Sequence, residues 1–188
     1  MVIEHDASPT EPPGGADDAD VVDRETITAP IERLRSLRTL ARRLVDADDL
    51  PGVAHALMNS GLATAEAIGG SLMVVDGTRL SMVTHREMSD EVIADWDDFT
   101  LRPGVDPISD ALVDRTPRFY ESRRRLLAAY PHLGTTLDSV DHEGWAVIPL
   151  IHGDMPVGAL GLVFDAPTTF READRLLLEM IGEPIGKR

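Results

Sequence analysis

The stretch Trp145–Asp165, WAVIPLIHGDMPVGALGLVFD, constrains the fold of this chain more than any other segment. Two runs rich in Val, Ile and Leu flank Gly153-Asp154, a pair typical of hairpin turns because Gly accepts a positive φ. In the second run both sets of alternating residues are largely apolar, which indicates a strand that is covered on both faces. The stretch therefore predicts a hairpin in the middle of a three-layer domain.

Composition limits the class of protein. A chain of 188 residues with 43% hydrophobic residues can form one domain with a full core. It contains no apolar run of the ~18–20 residues that a membrane helix needs, and its first residues lack the basic and apolar regions of a secretory signal. The absence of Cys excludes a disulfide framework, a thiolate metal site and a catalytic thiol. It also fits the cytoplasmic location that we expect.

The formal charge of −15 is spread unevenly along the chain. Residues 1–29 hold eight acidic residues and one Arg, together with three Pro, two Gly and few large apolar side chains. Such a segment buries too little surface to offset its ordering entropy. We therefore expect an acidic disordered tail at 1–29, with a docking arm as the alternative, before a single domain at 30–188. The acidic surface argues against nucleic acid and anionic membranes as partners.

A helix is predicted to begin at Pro30, since Pro is favoured in the first helical turn. Its apolar residues follow the spacing of one helical stripe: Leu34, Leu37, Ala41 and Leu44. The stripe has two interpretations that the sequence leaves open. The helix packs against its own sheet, or it forms a short seam with a second copy of the chain in a homodimer.

Local signals predict the remaining elements. Asp49 before Leu50-Pro51 indicates the N-cap of a second helix that continues to near Ala67, and Asp76-Gly77 indicates a hairpin turn. The predicted strands are Ser71–Asp76, Arg79–His85, Thr100–Arg102 and Arg118–Glu121. The predicted helices are Asp90–Phe99, Pro107–Arg115, Ser122–Tyr130 and Thr168–Ile181, with residues 132–143 as a loop. The last helix is expected to be capped by Thr168 or Thr169 with Glu172 and to bury Leu176, Leu177, Met180 and Ile181.

This order of elements resembles a GAF domain over about residues 31–188. The hairpin carries the residues that support the resemblance, Pro149, Leu150, Gly153, Gly158, Leu160 and Leu162, and the helix after it carries Phe170, Asp174, Leu177 and Leu178. The upstream segment GGSLMVVDGTRLSMV is similar to the first GAF hairpin. The run Arg118–Glu121 followed by Arg125 and Tyr130-Pro131 is similar to GAF modules that precede phosphatase or kinase domains in actinobacterial signalling proteins.

The resemblance implies an α+β fold of three layers. A central antiparallel sheet of five or six strands would carry the terminal helices on one face and a variable helical roof over a ligand pocket on the other. The implied function is a regulatory domain in signal transduction, with a small-molecule ligand of unknown identity. The last helix is still amphipathic where the sequence ends, so we expect an output domain or a signalling partner beyond it.

Several activities of the family are not expected here. Members that bind cyclic nucleotides carry an Asn-Lys pair upstream of F-x-x-x-D-E, whereas in this chain Arg175 follows Asp174 and the sole Asn is Asn59. Bilin-binding members and the methionine sulfoxide reductases built on this fold depend on Cys, which this chain lacks. We also find no phosphate loop, nucleophile elbow or zinc-protease motif, so that we do not expect an enzyme.

Scarce aromatic residues provide the candidates for a binding site. An aromatic-lined hollow with a few polar groups is the usual form of a small-molecule pocket. The candidate ligand-binding residues from the predicted roof and hairpin are Trp96, Phe99, Phe119, Tyr120, Tyr130 and Trp145. Simple packing in the core is the alternative for each of them. Arg118, Arg123 and Arg125 are further candidates, for contact with an anionic ligand.

Two alternatives stand beside a ligand-sensing domain. The first is a scaffold that has lost its ligand, dimerises through the Leu34–Leu44 helix and the terminal helix, and relays a signal. The second is a haem sensor with His132 or His142 as its single axial ligand. Because one His in a loop is a weak signal, we expect no cofactor.

Overall fold

The computed structural model describes the backbone of residues 18–186 and the side chains of residues 31–94 and 96–182. It divides into two compact units, Met1–Leu34 and Arg35–Arg188. Within the described residues, the first unit consists of the N-terminal part of one helix, and the second contains the whole sheet and the other helices. No helix in the described part of the chain is both long and apolar enough to cross a membrane.

Six antiparallel strands form one sheet in the order β3-β2-β1-β6-β5-β4. The strands are β1 Gly69–Asp76, β2 Arg79–Arg86, β3 Asp98–Thr100, β4 Arg118–Tyr120, β5 Gly144–His152 and β6 Met155–Phe164. The central hairpin β5–β6 is therefore confirmed, and Gly153 in its turn has the positive φ of 60° that the turn requires. The turn between β1 and β2 uses Gly77 and Thr78, one residue later than predicted.

The described part of the chain also contains eight α-helices. They are α1 Asp18–Asp46, α2 Leu50–Ala56, α3 Leu62–Ala65, α4 Asp90–Trp96, α5 Pro107–Asp114, α6 Arg123–Ala129, α7 Gly134–Leu137 and α8 Glu172–Gly186. A π-helical turn, Leu57–Gly61, joins α2 to α3, and a 3-10 turn, Pro131–Leu133, precedes α7. The segment 132–143, predicted as loop, thus contains two short helical turns.

The sheet is covered on both faces, which confirms the three-layer α+β prediction. On one face, residues of β5 and β6 pack against α1, α2 and α8 in a cluster that includes Ala146, Ile148, Leu150, Leu160 and Leu162. On the other face, Met73, Val147 and Ala159 pack against Ile108, Ala111 and Leu112 of α5. Because side chains alternate along a strand, the two apolar sets of the hairpin supply one face each.

The predicted stripe of α1 is corrected by the structure. Leu44 is buried, but Leu34 is 66% exposed and Ala41 is exposed as well. The residues that face the core are instead Leu37, Leu40 and Leu44, with Ala47 one turn further on. Both rows fit a helical period, and the choice between them depends on the angle at which the helix meets the sheet.

The buried side of α8 also differs from the prediction. Leu178 and Ile181 are buried, whereas Leu176 and Met180 are 54% and 51% exposed. The helix approaches β5 closely at Gly182, where a Cβ atom would lie 2.7 Å from Cγ2 of Ile148. The helix begins at Glu172, and Asp174 Oδ2 accepts a hydrogen bond from the Arg171 backbone N–H at 3.0 Å. This N-terminal contact replaces the predicted Thr169–Glu172 capping box.

The first helix begins earlier than predicted. Residues 18–29, which we expected in a disordered tail, are helical, and α1 starts at Asp18 and not at Pro30. The Pro and Gly residues that argued against regular structure all precede Ala16, so they place no limit on the segment after it. The rest of the predicted tail, residues 1–17, lies outside the described residues.

Candidate functional site

An inner cavity of about 100 Å³ lies between the sheet and the segments that cover its α5 face. Its floor is formed by strand residues, namely Ser71, Met73, Trp145, Val147, Gly161 and Val163. Ser71 on β1 lies directly opposite Gly161 on β6. Two of the smallest residues therefore lie side by side in the middle of the sheet, which leaves space that larger side chains would fill.

The walls of the inner cavity come from the segments between β2 and β5. They are Met88, Val92, Trp96, Pro107, Ile108, Leu126, Leu133, Thr136, Leu137, Val140 and His142. N-cap residues fix the helices that carry several of them, because Ser89 begins α4, Asp106 begins α5 and Ser122 begins α6. Among the residues whose side chains the structure describes, no Asp, Glu, Lys or Arg lines this cavity. Its polar side-chain atoms come from Ser71, Thr136, His142 and the two tryptophans.

His142 is the titratable group of the inner cavity. Its ring is half-buried and lies beside Trp145, with 6.5 Å between the ring centroids. Burial lowers the pKa of His142, and the positive charge of Arg123 lowers it further. The imidazole is therefore neutral at pH 7, with one nitrogen as a donor and the other as an acceptor.

Arg123 fixes the wall segment that carries His142. Its guanidinium donates hydrogen bonds to three backbone carbonyls, those of Leu137 at 2.7 Å, Val140, and His142 at 3.2 Å. The carboxylate of Glu143 lies 3.9 Å from Arg123 Nε. One side chain from the start of α6 thus satisfies carbonyl groups that lie outside any strand or long helix.

A second, open groove of about 450 Å³ adjoins the inner cavity. The residues that line this outer groove are Trp96, Asp98, Phe99, Thr100, Arg102, Val105, Asp106, His132, Leu133 and Thr136. Trp96, Leu133 and Thr136 line both spaces and form the wall between them. The rings of Trp96 and Phe99 meet edge to face at 5.3 Å.

Both carboxylates of the outer groove have partners within the protein. Asp98 forms an ion pair with Arg79 across strands β3 and β2. Asp106 accepts hydrogen bonds from the backbone N–H of Ser109 at 2.7 Å and from its hydroxyl at 2.6 Å. Burial raises the pKa of Asp106 despite these bonds. The two acids therefore maintain the structure of the groove.

A chain of hydroxyl contacts joins the roof to α5. The Tyr130 hydroxyl donates to Oδ2 of Asp110 at 2.6 Å, and the Tyr120 hydroxyl lies 3.3 Å from that of Tyr130. Burial, followed by these hydrogen bonds, raises the pKa of Tyr130, so the phenol remains protonated as the donor. The other oxygen of Asp110 accepts the backbone N–H of Gly104 at 2.6 Å.

The structure brings three of the six candidate aromatic residues to the two spaces. Trp96 and Trp145 line the inner cavity, and Phe99 lines the outer groove. Tyr120 and Tyr130 lie beside the cavity in a separate buried cluster with Leu126 and Leu137. They support the roof and do not line either space.

Phe119 lies on the opposite face of the sheet. It is paired with Ala146 of the α8-facing set, and its ring lies 5.1 Å from that of Phe170. The guanidinium of Arg175 stacks on it at 5.0 Å. Strand alternation puts Phe119 and its neighbour Tyr120 on different faces, so proximity in sequence did not predict proximity to the cavity.

Most of the cavity lining was not among the candidate residues. The aliphatic walls from α5, α6 and the 133–140 segment carry no sequence signal that separates them from ordinary core. Finding the floor requires the pairing of the two hairpins, which places Gly161 of β6 opposite Ser71 of β1. The register that brings Ser71 beside Gly161 is a long-range contact that a local pattern does not give.

A family model for the GAF domain matches residues 47–187. The chain belongs to the GAF domain family. GAF domains are in general regulatory, ligand-binding domains of signalling proteins, and this one carries both hollow spaces on the face opposite its terminal helices. No curated protein sequence matches the chain significantly.

Solved structures of low sequence identity share the fold of this GAF domain. The GAF domain of a phosphoenolpyruvate-protein phosphotransferase from Coxiella burnetii is 16% identical, with 83% of this chain and 91% of that chain covered and a TM-score of 0.69. A free methionine-R-sulfoxide reductase from Neisseria meningitidis is 14% identical, with 82% and 86% covered and a TM-score of 0.66. The nlh2 GAF domain of A. aeolicus is 9% identical, with 84% and 94% covered and a TM-score of 0.64.

Proposed function

We propose that this GAF domain is a regulatory module that binds a small ligand through an uncharged, mainly apolar group in the inner cavity. The proposal rests on the lining of the cavity, which is apolar apart from Ser71, Thr136, His142 and the tryptophan N–H groups. The described residues that form it include no charged side chain. An ion without a partner there would lose its hydration without compensation. A neutral group that makes one or two hydrogen bonds would avoid this cost.

The volume of the cavity limits the size of that group. A space of about 100 Å³ is smaller than the ~150 Å³ apolar cavity that accommodates benzene. The group that enters it therefore has about four to six non-hydrogen atoms. A haem macrocycle does not fit this space, although His142 lines it. The described side chains also contain no group of three His, Asp or Glu residues placed to hold a metal ion.

Ligand occupancy would be transmitted through the roof. One short segment of the roof supplies five residues of the lining, Leu133, Thr136, Leu137, Val140 and His142. A bound group would therefore contact this segment along most of the segment's length. Arg123 ties the same segment to α6. In this proposal the domain performs no reaction of its own, and the change in the roof regulates an output domain or a signalling partner.

The experiment uses the methionines as reporters. Met73 and Met88 line the cavity, whereas Met155 lies at the β5–β6 turn and is 68% exposed. We expect 1-butanol, a neutral probe of suitable size, to shift the ¹³C-methyl signals of Met73 and Met88 saturably and to leave Met155 unchanged. A shift that is equal at all three, or absent at all three, would contradict the proposal.

Dimerisation through α1 is the second candidate function. An apolar row remains exposed on this helix, with Leu34 66% and Val45 71% exposed and Ala41 between them. Leu34 and Ala41 are one heptad apart, and the alternate position of the same seam holds Val45 and, one heptad before it, the exposed Arg38. The second copy of the chain is the occupant that we propose for this row. The two functions are compatible, because the cavities lie on the other face of the sheet.

A further inference from the structure

We propose that the ligand is an amphiphile whose anionic group, a carboxylate, lies in the outer groove at Arg102 while its apolar part fills the inner cavity. This inference rests on the proposed function and adds a second, charged half to the same site. It names the ligand class as a short-chain or small-ring carboxylic acid in its ionised form.

The first support is the contact between the two spaces. They share three wall residues, Trp96, Leu133 and Thr136. Two of these belong to the short helical turns after Tyr130, and their side chains are only half-buried. A molecule that passes this wall can have one end in an apolar, charge-free cavity and the other in an open groove with charged side chains. A purely apolar ligand would leave the groove unused.

The second support is the charge that remains available in the groove. Asp98 is paired with Arg79, and both oxygens of Asp106 accept hydrogen bonds from Ser109. In contrast, the guanidinium of the exposed Arg102 forms no ion pair or hydrogen bond with any residue that the structure describes. Only its backbone is engaged, the N–H with the Ser109 hydroxyl at 3.0 Å and the carbonyl with the Val105 N–H at 3.2 Å. Among the described residues that line the groove, Arg102 thus supplies a positive charge without a side-chain partner, which favours contact with an anionic group there.

The three arginines that the sequence suggested for an anion are engaged elsewhere. Arg118 pairs with Asp114, Arg125 pairs with Glu121 at 3.2 Å, and Arg123 holds the carbonyls of the wall segment. None of them lines either space. In this proposal Arg102, and none of these three, contacts the anionic group of the ligand.

His132 orders the same side of the groove. Its Nε2 donates to the carbonyl of Val105 at 2.6 Å, which ties the 3-10 turn to the loop after Arg102. Val105 and His132 both line the groove. The hydrogen bond ties the loop after Arg102 to the segment that carries Leu133 and Thr136, so Arg102 lines the same groove as these two wall residues.

The test compares pentanoate with 1-pentanol, which have similar apolar parts and differ in charge. Binding is followed by intrinsic fluorescence, because both tryptophans of the chain line the inner cavity. We expect pentanoate to bind the wild-type chain more tightly than 1-pentanol. Arg102→Gln should weaken pentanoate about fivefold to tenfold, the loss of one exposed charge-assisted contact, and leave 1-pentanol unchanged. Arg102→Lys should recover part of the loss.

Two further variants separate this inference from the proposed function. Arg124→Gln removes another exposed arginine that lines neither space and should have no effect. Gly161→Ala narrows the inner cavity and should weaken both probes. If 1-pentanol binds as well as pentanoate and Arg102→Gln changes neither, the amphiphile inference is wrong and the proposed function stands. If pentanoate requires Arg102 but tolerates Gly161→Ala, the two spaces are not one site. If neither probe binds, both proposals fail.

Discussion

Ser71 and Gly161 face each other across strands β1 and β6, and a Cβ atom on Gly161 would lie 3.0 Å from the Ser71 hydroxyl oxygen. The next nearest atom to that Cβ, the Ser71 carbonyl oxygen, is 3.8 Å away. The backbone at Gly161 therefore tolerates a small side chain, and only the hydroxyl has to move. Both residues line the floor of the inner cavity.

We predict that Gly161→Ala weakens the binding of 1-butanol without unfolding the domain. The added methyl group occupies part of the cavity, and adjustment of the Ser71 hydroxyl costs about 1 kcal/mol. Urea denaturation would measure the free energy of unfolding, and Met73 methyl shifts would measure binding. Gly134→Ala is the matched control, because its nearest neighbour would be Leu127 at 3.9 Å and it touches neither Ser71 nor the floor. Equal binding by both variants would contradict the role of the floor.

We predict that Arg123→Gln loosens the cavity wall. The variant loses charged donors to three carbonyls, which costs about 1–3 kcal/mol in the free energy of unfolding. Amide hydrogen exchange should become faster in residues 137–143 and stay unchanged in the β5–β6 hairpin. Arg124→Gln, at an exposed position one residue later, should change neither measurement. Uniform acceleration over the whole domain would indicate a general loss of stability and no specific role in the wall.

The core of this fold follows from local patterns, whereas the site does not. The β5–β6 hairpin was predictable because its two apolar runs and the Gly-Asp turn between them occur in one continuous stretch of sequence. The helix faces were not, since a row with Leu34 and Ala41 and a row with Leu40 and Ala47 satisfy the same period. Only the docking of α1 on the sheet selects the second row. Propensity and periodicity carry no information on that docking angle.

The site adds a second difficulty, because its residues are distant in sequence. Trp96 and Trp145 were identified because they are rare, and they do line the cavity. Ser71 and Gly161 come together through strand pairing and are unremarkable in composition. Phe119 was a candidate for the site but does not belong to it. Because side chains alternate along β4, its ring lies on the α8 face, beside Phe170.

We predict that Tyr130→Phe destabilises the domain more than Tyr120→Phe. Tyr130 is 4% exposed and donates to the Asp110 carboxylate at 2.6 Å, so its removal leaves an oxygen without its donor. The expected loss is about 1.5–3 kcal/mol for a hydrogen bond to a charged group. Tyr120→Phe removes only the 3.3 Å contact between hydroxyls and should cost about 0.5–1.5 kcal/mol. Thermal and urea denaturation of the two variants would check the order.

We predict that His142 contributes to a loss of stability at acidic pH. Burial, then Arg123, lowers its pKa in the folded state, while Asp141 and Glu87 act in the opposite direction. As pH falls below about 6.5, the usual value for His, the unfolded chain binds the proton first. The free energy of unfolding therefore decreases until pH reaches the lowered pKa of the folded state. Above pH 6.5 the residue has no such effect.

Urea denaturation between pH 7.5 and 5.0 would measure this dependence. His142→Asn should flatten the decrease, because the variant has no group that the unfolded state protonates preferentially at this position. His85→Asn, at an exposed position of β2, is the matched control and should retain the wild-type slope. A wild-type slope in His142→Asn would show that other groups account for the acid sensitivity.

We predict that Val45→Asp dissociates a dimer without unfolding the domain. Val45 is 71% exposed, so a carboxylate there is hydrated in the monomer and desolvated only in a seam with a second copy. Sedimentation should show a dimer for the wild-type chain and a monomer for the variant, with unchanged circular dichroism. Leu37→Asp is unsuitable because Leu37 packs against the core and would confound association with unfolding. Leu50→Asp, 44% exposed at the start of α2, is the control that should leave the dimer intact. A dimer that persists in Val45→Asp would exclude the α1 seam as the interface.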